Sequence, residues 1–337
     1  MTPEDHFRHL AEFIRGVELA GGTTPHVAMT VESMSRLDDD LEKLWFAGCY
    51  ALTYNWPAAE RLFLEMRPVQ AVHRPEISSF LEAHWAGLPL RKERKAVYRQ
   101  WAFADSVIAY LLMARQMVWD KGEWTTDYGE AFRAFNDNTR FMGRYIAIRW
   151  LEVMRRAFPI DCAGWVMPDI HSDGGQHPRK ALALIYPEEA TALLGGNSTA
   201  ELAVADRAAD RLLVDLATEY GITSNYYEIQ SLLCEVKQAI NSRRHYPGKS
   251  IDSEMGHLTK VRAHWGEDVH TDFFSVRRAV FPDWSLGELN GWWGVRPELG
   301  GLIADYGLVW SDAVYDYAAT RASGDFSNPV QIGPALL

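Results

Sequence analysis

Apolar residues recur every three or four positions along most of the chain, and no stretch shows the two-residue alternation of a strand series. Phe7, Leu10, Phe13, Ile14, Val17 and Leu19 mark a first amphipathic helix over residues 1–20, which Gly21-Gly22 should end. After a loop with Pro25, the run from Met34 to Tyr54 reads as helical, and its later half, LWFAGCYALTYNW, is almost wholly apolar. Residues Trp45 to Trp56 can be a site wall with Cys49, Tyr50 and Asn55 facing inward, although apolar helices are more often core. Pro57 can open the next helix, PAAERLFLEM, because a first helical turn needs no N–H there. Pro68 and Pro75 frame a loop before a short helix. Val97, Trp101, Ala104, Val107, Ile108, Leu111 and Leu112 then predict a long amphipathic helix over Lys95 to Trp119.

Tyr128, Phe132 and Phe135 lead into Asn138 to Phe158, the stretch with the most unusual pattern. Wound as a helix, it places Met142, Ile146, Trp150, Val153, Met154, Ala157 and Phe158 on one apolar arc. The opposite arc carries Arg140, Arg144, Arg149, Arg155 and Arg156, relieved by Glu152 and interleaved with Phe141, Tyr145 and Ile148. Cations among flat side chains suit phosphate backbones and unstacked bases. The same pattern also fits a core helix whose arginines pair with acids. After Phe158 the texture changes: Cys162 to Lys180 lacks periodicity and is rich in Gly, Pro, Asp and His, with His171, Asp173 and His177 as metal-ligand types and Asp169 or His171 as a general base or phosphate neighbour, although turn residues fit the same pattern.

A helix is predicted over Ala200 to Tyr220, capped by Ser198 and closed by Gly221. In the next, Asn225 to about Arg244, the residues Tyr227, Gln230, Cys234, Lys237, Asn241 and Arg244 form one polar stripe at helical spacing. RRHYPGKSIDSE reads as a loop carrying Arg243, Arg244, His245 and Lys249 ahead of Asp252 and Glu254. The expected fold class is therefore all-α. Residues 1–337 make a single helical domain or two lobes, 1–160 and 161–337, with the site between them.

Composition narrows the class. A chain of 337 residues with 47% hydrophobic content can bury one large core or two smaller ones. Thirteen Trp, fourteen Tyr and fourteen Phe fit thick helix packing or a surface that stacks on planar ligands. Cys49, Cys162 and Cys234 are far apart, which points away from a disulfide framework and toward a reducing, cytoplasmic setting. No apolar run reaches the roughly 18 residues that span a bilayer, and MTPEDHFRHLAEF is too charged for a signal peptide, so no membrane association is expected. A net charge of −11 opposes nucleic-acid binding on totals. The bases, however, concentrate in RKERKAVYR, in Asn138 to Phe158 and in SRRHYPGK, so a local positive surface is compatible with the total.

Three stretches taken together, LWFAGCYALTYNWPAAERLF, TRFMGRYIAIRWLEVMRR and YEIQSLLCEVKQ followed by RRHYPGKSID, resemble the phage amino acid:DNA transferases, which are related to the alpha-glutamyl/putrescinyl thymine pyrophosphorylase family. Within the second, Gly143 and Ala147 resemble the turn and following helix of helix-hairpin-helix DNA glycosylases, where backbone amides hold a DNA phosphate. The resemblance implies an all-helical, DNA-glycosylase-like core with an irregular loop region. It also implies a reaction: pyrophosphorylated 5-hydroxymethyluracil in double-stranded phage DNA loses its pyrophosphate to the amine of a free amino acid, giving a hypermodified thymine.

Such a displacement needs cations on the departing pyrophosphate, and Arg140, Arg144, Arg149, Lys237, Arg243, Arg244 and Lys249 are the candidates for binding it and the DNA. A carboxylate must take the proton of the incoming ammonium, and Asp252, Glu254, Glu235 and Asp169 are the candidate bases. Tyr145, Tyr227 and Tyr246 can stack on a base drawn out of the duplex. No cofactor is required, although Mg2+ can accompany a pyrophosphate. A base-excising DNA glycosylase and a non-catalytic helical DNA-binding protein of a modification complex are the alternatives. A phage-encoded protein would work in the host cytoplasm.

Overall fold

A computed structural model describes residues 2–19, 25–67, 69, 72–90, 99–119, 128–139, 144–158, 176–223, 229, 232–233 and 249–280; for some helical residues, Arg144, Tyr145, Lys249 and Asp252 among them, it describes the backbone alone. The elements are helices α1 (Pro3–Leu19), α2 (Pro25–Ser35), α3 (Asp40–Thr53), α4 (Trp56–Glu65), α5 (Arg74–His84), α6 (Gln100–Trp119), α7 (Tyr128–Asn138), α8 (Arg144–Ala157), α9 (Gln176–Ile185), α10 (Ala190–Leu193), α11 (Thr199–Tyr220), α12 (Lys249–Trp265) and α13 (Phe273–Val280). The described residues contain no strand, so the chain is all-α as the periodicity predicts. None of these helices is long and apolar enough to cross a membrane.

Three of the expected boundaries move, the simplest being that the stretch expected to be irregular through Lys180 is helical from Gln176. The run from Met34 to Tyr54 is not one helix: α2 starts at Pro25 and stops at Ser35, and α3 starts at Asp40. Asp39 sets the break. Its extended backbone and its carboxylate, which accepts from Glu42 N at 2.9 Å, make it an N-cap, and Asp40 and Glu42 suit the positive end of α3. The third change is at Lys249–Trp265, where RRHYPGKSIDSE was expected to continue as loop. The chain is helical from Lys249 onward, so Asp252 and Glu254 stand on a helix.

The chain divides into two compact units, and the grouping does not follow chain order. One contains α1 and α9–α11. The other contains α3–α8 and α13, with α2 from His26 and α12 from Ser253.

In the first unit, Phe7, Leu10, Ala11 and Ile14 of α1 join Leu182, Ile185, Leu193, Leu212, Leu216, Ile229, Leu232 and Leu233 in one buried cluster. The start of α11 follows its sequence signals. Ser198 accepts from Glu201 N, Glu201 reaches back to Ser198 N, and Gly221 ends the helix at φ 65°. The Glu201 carboxylate also takes Gly196 N at 2.8 Å and the Ser198 hydroxyl at 2.7 Å. These partners, the hydroxyl foremost, hold Glu201 down to about 2. Two amides of the Gly-Gly-Asn-Ser loop, Gly196 N and Ser198 N, are thus occupied by the chain's own carboxylate. Buried Arg179 fastens the loop from below, donating to Gly196 O at 2.8 Å and Asn197 Oδ1 at 2.7 Å.

In the second unit α3 is the hub, packing against α4, α6 and α8, while α7 lies against α8 and α5 against α6. From Leu41 to Thr53, every residue of α3 but Glu42 and Lys43 is buried. Gly48 lets the Tyr110 ring of α6 lie directly on the α3 backbone, since a Cβ at position 48 would fall inside that ring's van der Waals envelope. The Tyr110 hydroxyl donates to Leu44 O at 2.5 Å and accepts from Trp150 Nε1 at 2.9 Å, tying α3, α6 and α8 together. Burial pushes this hydroxyl far above the ordinary tyrosine range, so it keeps the proton that it donates. Phe135 of α7 stacks on Trp150 at 4.6 Å between centroids and extends the cluster.

Glu60, buried in α4, caps α13 from a distance in sequence: it accepts from Thr271 Oγ1 at 2.5 Å and from Asp272 N at 2.6 Å. Burial pushes its carboxyl from 4.5 up to about 7, against the two donors and the Arg61 charge, while the Asp272 charge adds to the rise.

Two stability predictions follow from this packing. Tyr110→Phe leaves the buried Trp150 N–H without its acceptor and should cost about 1–3 kcal/mol in urea denaturation; an unchanged midpoint would show that the bridge does not hold the unit. For Glu60, the folded chain binds the proton more tightly than the unfolded chain. Its contribution is therefore present below about 4.5 and lost as pH rises through about 7. Between pH 5 and pH 8 the wild type should lose on the order of 2–3 kcal/mol relative to Glu60→Gln, and a pH-independent difference between the two would contradict the account.

Candidate active site

The joint between α3 and α4, Tyr54-Asn55-Trp56, gathers several buried polar groups of the second unit. Its backbone is strained. Tyr54 ends α3 at φ 47° and ψ 38° and, among the described residues, is the one non-glycine with positive φ. A side chain in the left-handed region costs of order 1–2 kcal/mol, and such strain collects at functional positions. The residues on either side hold it: Tyr54 N donates to Tyr50 O at 2.6 Å, and Thr53 Oγ1 lies 2.7 Å from Cys49 O and 3.0 Å from Asn55 O, able to donate to one of them at a time.

The first turn of α4 leaves donors that need partners. Asn55 Oδ1 accepts from Ala58 N at 2.9 Å, and Asn55 O accepts from Ala59 N at 2.9 Å. Pro57 has no N–H to satisfy. The remaining donor, Trp56 N, is taken by Glu254 Oε2 of α12 at 2.8 Å. Glu254 is fully buried, and its charge at the start of α4 suits the positive end of that helix. One helical turn along α12, His257 brings Nδ1 to 3.8 Å from the same Glu254 oxygen and into contact with Asn55 Nδ2. Trp56 itself is buried, with its indole N–H on Ser33 Oγ at 3.2 Å and its ring edge-on to Phe273 at 5.4 Å.

A cation approaches the joint from α8. The Arg149 guanidinium lies 5.8 Å from the centre of the Tyr54 ring and pairs with Glu152 at 2.5 Å. Both members of the pair are buried, as is Ile148. The middle of α8, Ile146 to Met154, is buried all round. Arg149 and Ile148 therefore do not stand on an open cationic arc, because α3 and α7 both cover this helix. Arg155 and Arg156, one turn on, are half-buried.

Of the residues singled out from sequence, Arg149 reaches this joint at the Tyr54 ring and Glu254 reaches it at Trp56 N. Arg144 and Tyr145 begin α8, and Lys249 and Asp252 lie in the first turn of α12; only their backbone is described. Arg140, Asp169, Tyr227, Glu235, Lys237, Arg243, Arg244 and Tyr246 lie outside the described residues. Cys49, Tyr50 and Asn55 are buried, and burial raises the Cys49 thiol well above its ordinary range, which suits a core position rather than a nucleophile. Sequence reasoning missed His257. Its signal is the Glu254-x-x-His257 spacing, which puts the two groups together only once the segment is helical. A second histidine pair, His84 Nδ1 and His264 Nε2 at 3.2 Å, lies beside Trp265, which stacks on His84. Among the described residues no group of three or more metal-ligating side chains is gathered.

Comparison with protein-family models, with curated proteins and with solved structures finds no match.

The geometry at Trp56 makes a direct prediction. Glu254→Ala strips a buried N–H of its acceptor and should destabilise the chain by about 1–3 kcal/mol in urea. Glu254→Gln keeps an oxygen for that N–H and should lose clearly less; equal losses would show that the charge, not the acceptor, holds α12 to α4.

Proposed function

We propose that this protein is an amino acid:DNA transferase, moving an amino acid through its amine onto pyrophosphorylated 5-hydroxymethyluracil in DNA with release of pyrophosphate. The observation that carries the reading is that Arg149 and Glu254, 105 positions apart (254 − 149), each reach the strained Tyr54–Trp56 joint, the first at the Tyr54 ring and the second at Trp56 N. The reaction needs a cation for the leaving group and a carboxylate for the ammonium proton, and these are the two groups brought there. In this reading Arg149, with Arg144 from the start of α8, holds the pyrophosphate. Glu254 accepts the proton once substrate has closed over the joint, and Tyr54 offers a flat surface to the extruded base. The antiparallel-capable pair α7 and α8, in contact across the short segment that ends at Gly143, supports a helix-hairpin-helix-related, glycosylase-like core. Double-stranded DNA and a free amino acid are then the partners; no cofactor is required, although Mg2+ can accompany the pyrophosphate.

A second reading has its own observation. Arg149 is already neutralised by Glu152 in the interior, as in an ion-paired core helix, which suits a non-catalytic DNA-binding protein. A base-excising glycosylase is the third outcome of the same assay. Isotope-labelled amino acids offered with pyrophosphorylated 5-hydroxymethyluracil DNA, followed by nucleoside mass spectrometry, should yield an amino-acyl nucleoside. Free base release would favour the glycosylase, and binding without product the non-catalytic protein. Arg144→Ala should weaken DNA binding and lower its salt slope by about 1 with the fold intact; an unchanged slope and turnover would take that residue out of the site.

A further inference from the structure

We infer that His257 is an oxyanion-binding residue of this site, presenting its Nε2–H to a phosphate or carboxylate oxygen. The inference rests on the transferase reading for the identity of the anion, since that reaction brings two: the departing pyrophosphate and the carboxylate of the incoming amino acid. The tautomer itself follows from the α3–α4 joint alone.

The orientation of the Asn55 amide is fixed by its cap bond. Oδ1 accepts from Ala58 N at 2.9 Å, and the flipped amide would set an NH2 group against that N–H. Nδ2 is consequently the atom turned to His257 Nδ1. An amide nitrogen only donates, so Nδ1 must accept with its lone pair and the ring proton of the neutral imidazole sits on Nε2. Glu254 does not reverse this assignment. Its Oε2 is 3.8 Å from Nδ1, beyond hydrogen-bond distance, and is engaged by Trp56 N at 2.8 Å. The His257 side chain is 22% exposed, and the described residues offer Nε2 no hydrogen-bond partner. The ring is thus partnered on its accepting edge, and its donating edge has no partner among the described residues. A neutral imidazole in this tautomer has no lone pair at Nε2 with which to take a proton. It can donate a hydrogen bond to an oxyanion, the stronger for the charge on the acceptor. Arg149, against the ring of Tyr54 next to Asn55, places a cation at the same joint.

Imidazole tautomers are read directly by long-range 1H–15N correlation NMR of the full-length protein at a pH where His257 is neutral. The native protein should show His257 as the Nε2–H form. Asn55→Asp keeps the cap acceptor for Ala58 N but replaces the donor facing Nδ1 with an oxygen, and should move the proton to Nδ1. Inorganic pyrophosphate and, separately, glycine are then titrated. A shift of the His257 Nε2–H signal with pyrophosphate assigns the residue to the leaving group, and a shift with glycine assigns it to the amino acid. In either case His257→Ala should weaken that ligand roughly tenfold or more. A native Nδ1–H tautomer, or His257 signals unmoved by both ligands, would overturn the inference. Pyrophosphate binding through His257 without amino acid transfer would keep this inference and remove the transferase; transfer by a protein whose His257 is Nδ1–H would do the reverse.

Discussion

The close approach of Tyr110 to the backbone of α3 is the contact on which the second unit depends. It needs a residue without Cβ at position 48 and a phenol that bridges Leu44 O and Trp150 Nε1. With that contact made, α3 is enclosed on several sides, and its end is delivered to a fixed place. A helix held this tightly cannot relieve strain by shifting along its axis, because close-packed interiors yield little. The left-handed turn at Tyr54 absorbs the change of direction instead, and α4 starts from there.

The polar groups at that turn are explained first by hydrogen-bond accounting. Each early N–H of α4 has a partner, and the one that the local chain cannot satisfy is met by Glu254 from nearly two hundred residues away. Burying a carboxylate for one backbone amide is costly when a neutral acceptor would serve. Glu60 in the same helix and the Arg149–Glu152 pair in α8 repeat the choice of charge in the interior. The burial of Glu60 also makes the fold sensitive to pH.

How far the sequence could be read depended on whether the deciding interaction was local. The Ser198 cap, the closing Gly221, the Pro57 start and the apolar run of α3 all act within a few residues, and each was legible. Asp39 is just as local, but three consecutive acids beside an apolar run hid which one caps α3. The start of α12 was obscured because Pro247-Gly248 and a cluster of charges resemble a loop while the helix opens immediately after them. The arc of α8 left two readings open for a different reason. Periodicity gives the faces of a helix but not how many of them are covered, and contact with both α3 and α7 decides for the ion-paired core at Arg149 and Ile148. His257 was invisible for want of the helix that sets it beside Glu254.

The account places the chemistry at Tyr54–Trp56, with the cation of α8 and the carboxylate and imidazole of α12 around it. A crystal structure with a duplex carrying one 5-hydroxymethyluracil tests this most directly. The account predicts the modified base extruded from the stack, lying against Tyr54, with its exocyclic oxygen within hydrogen-bond reach of Arg149 or His257. A base left in the duplex, or one bound away from this joint, would contradict it.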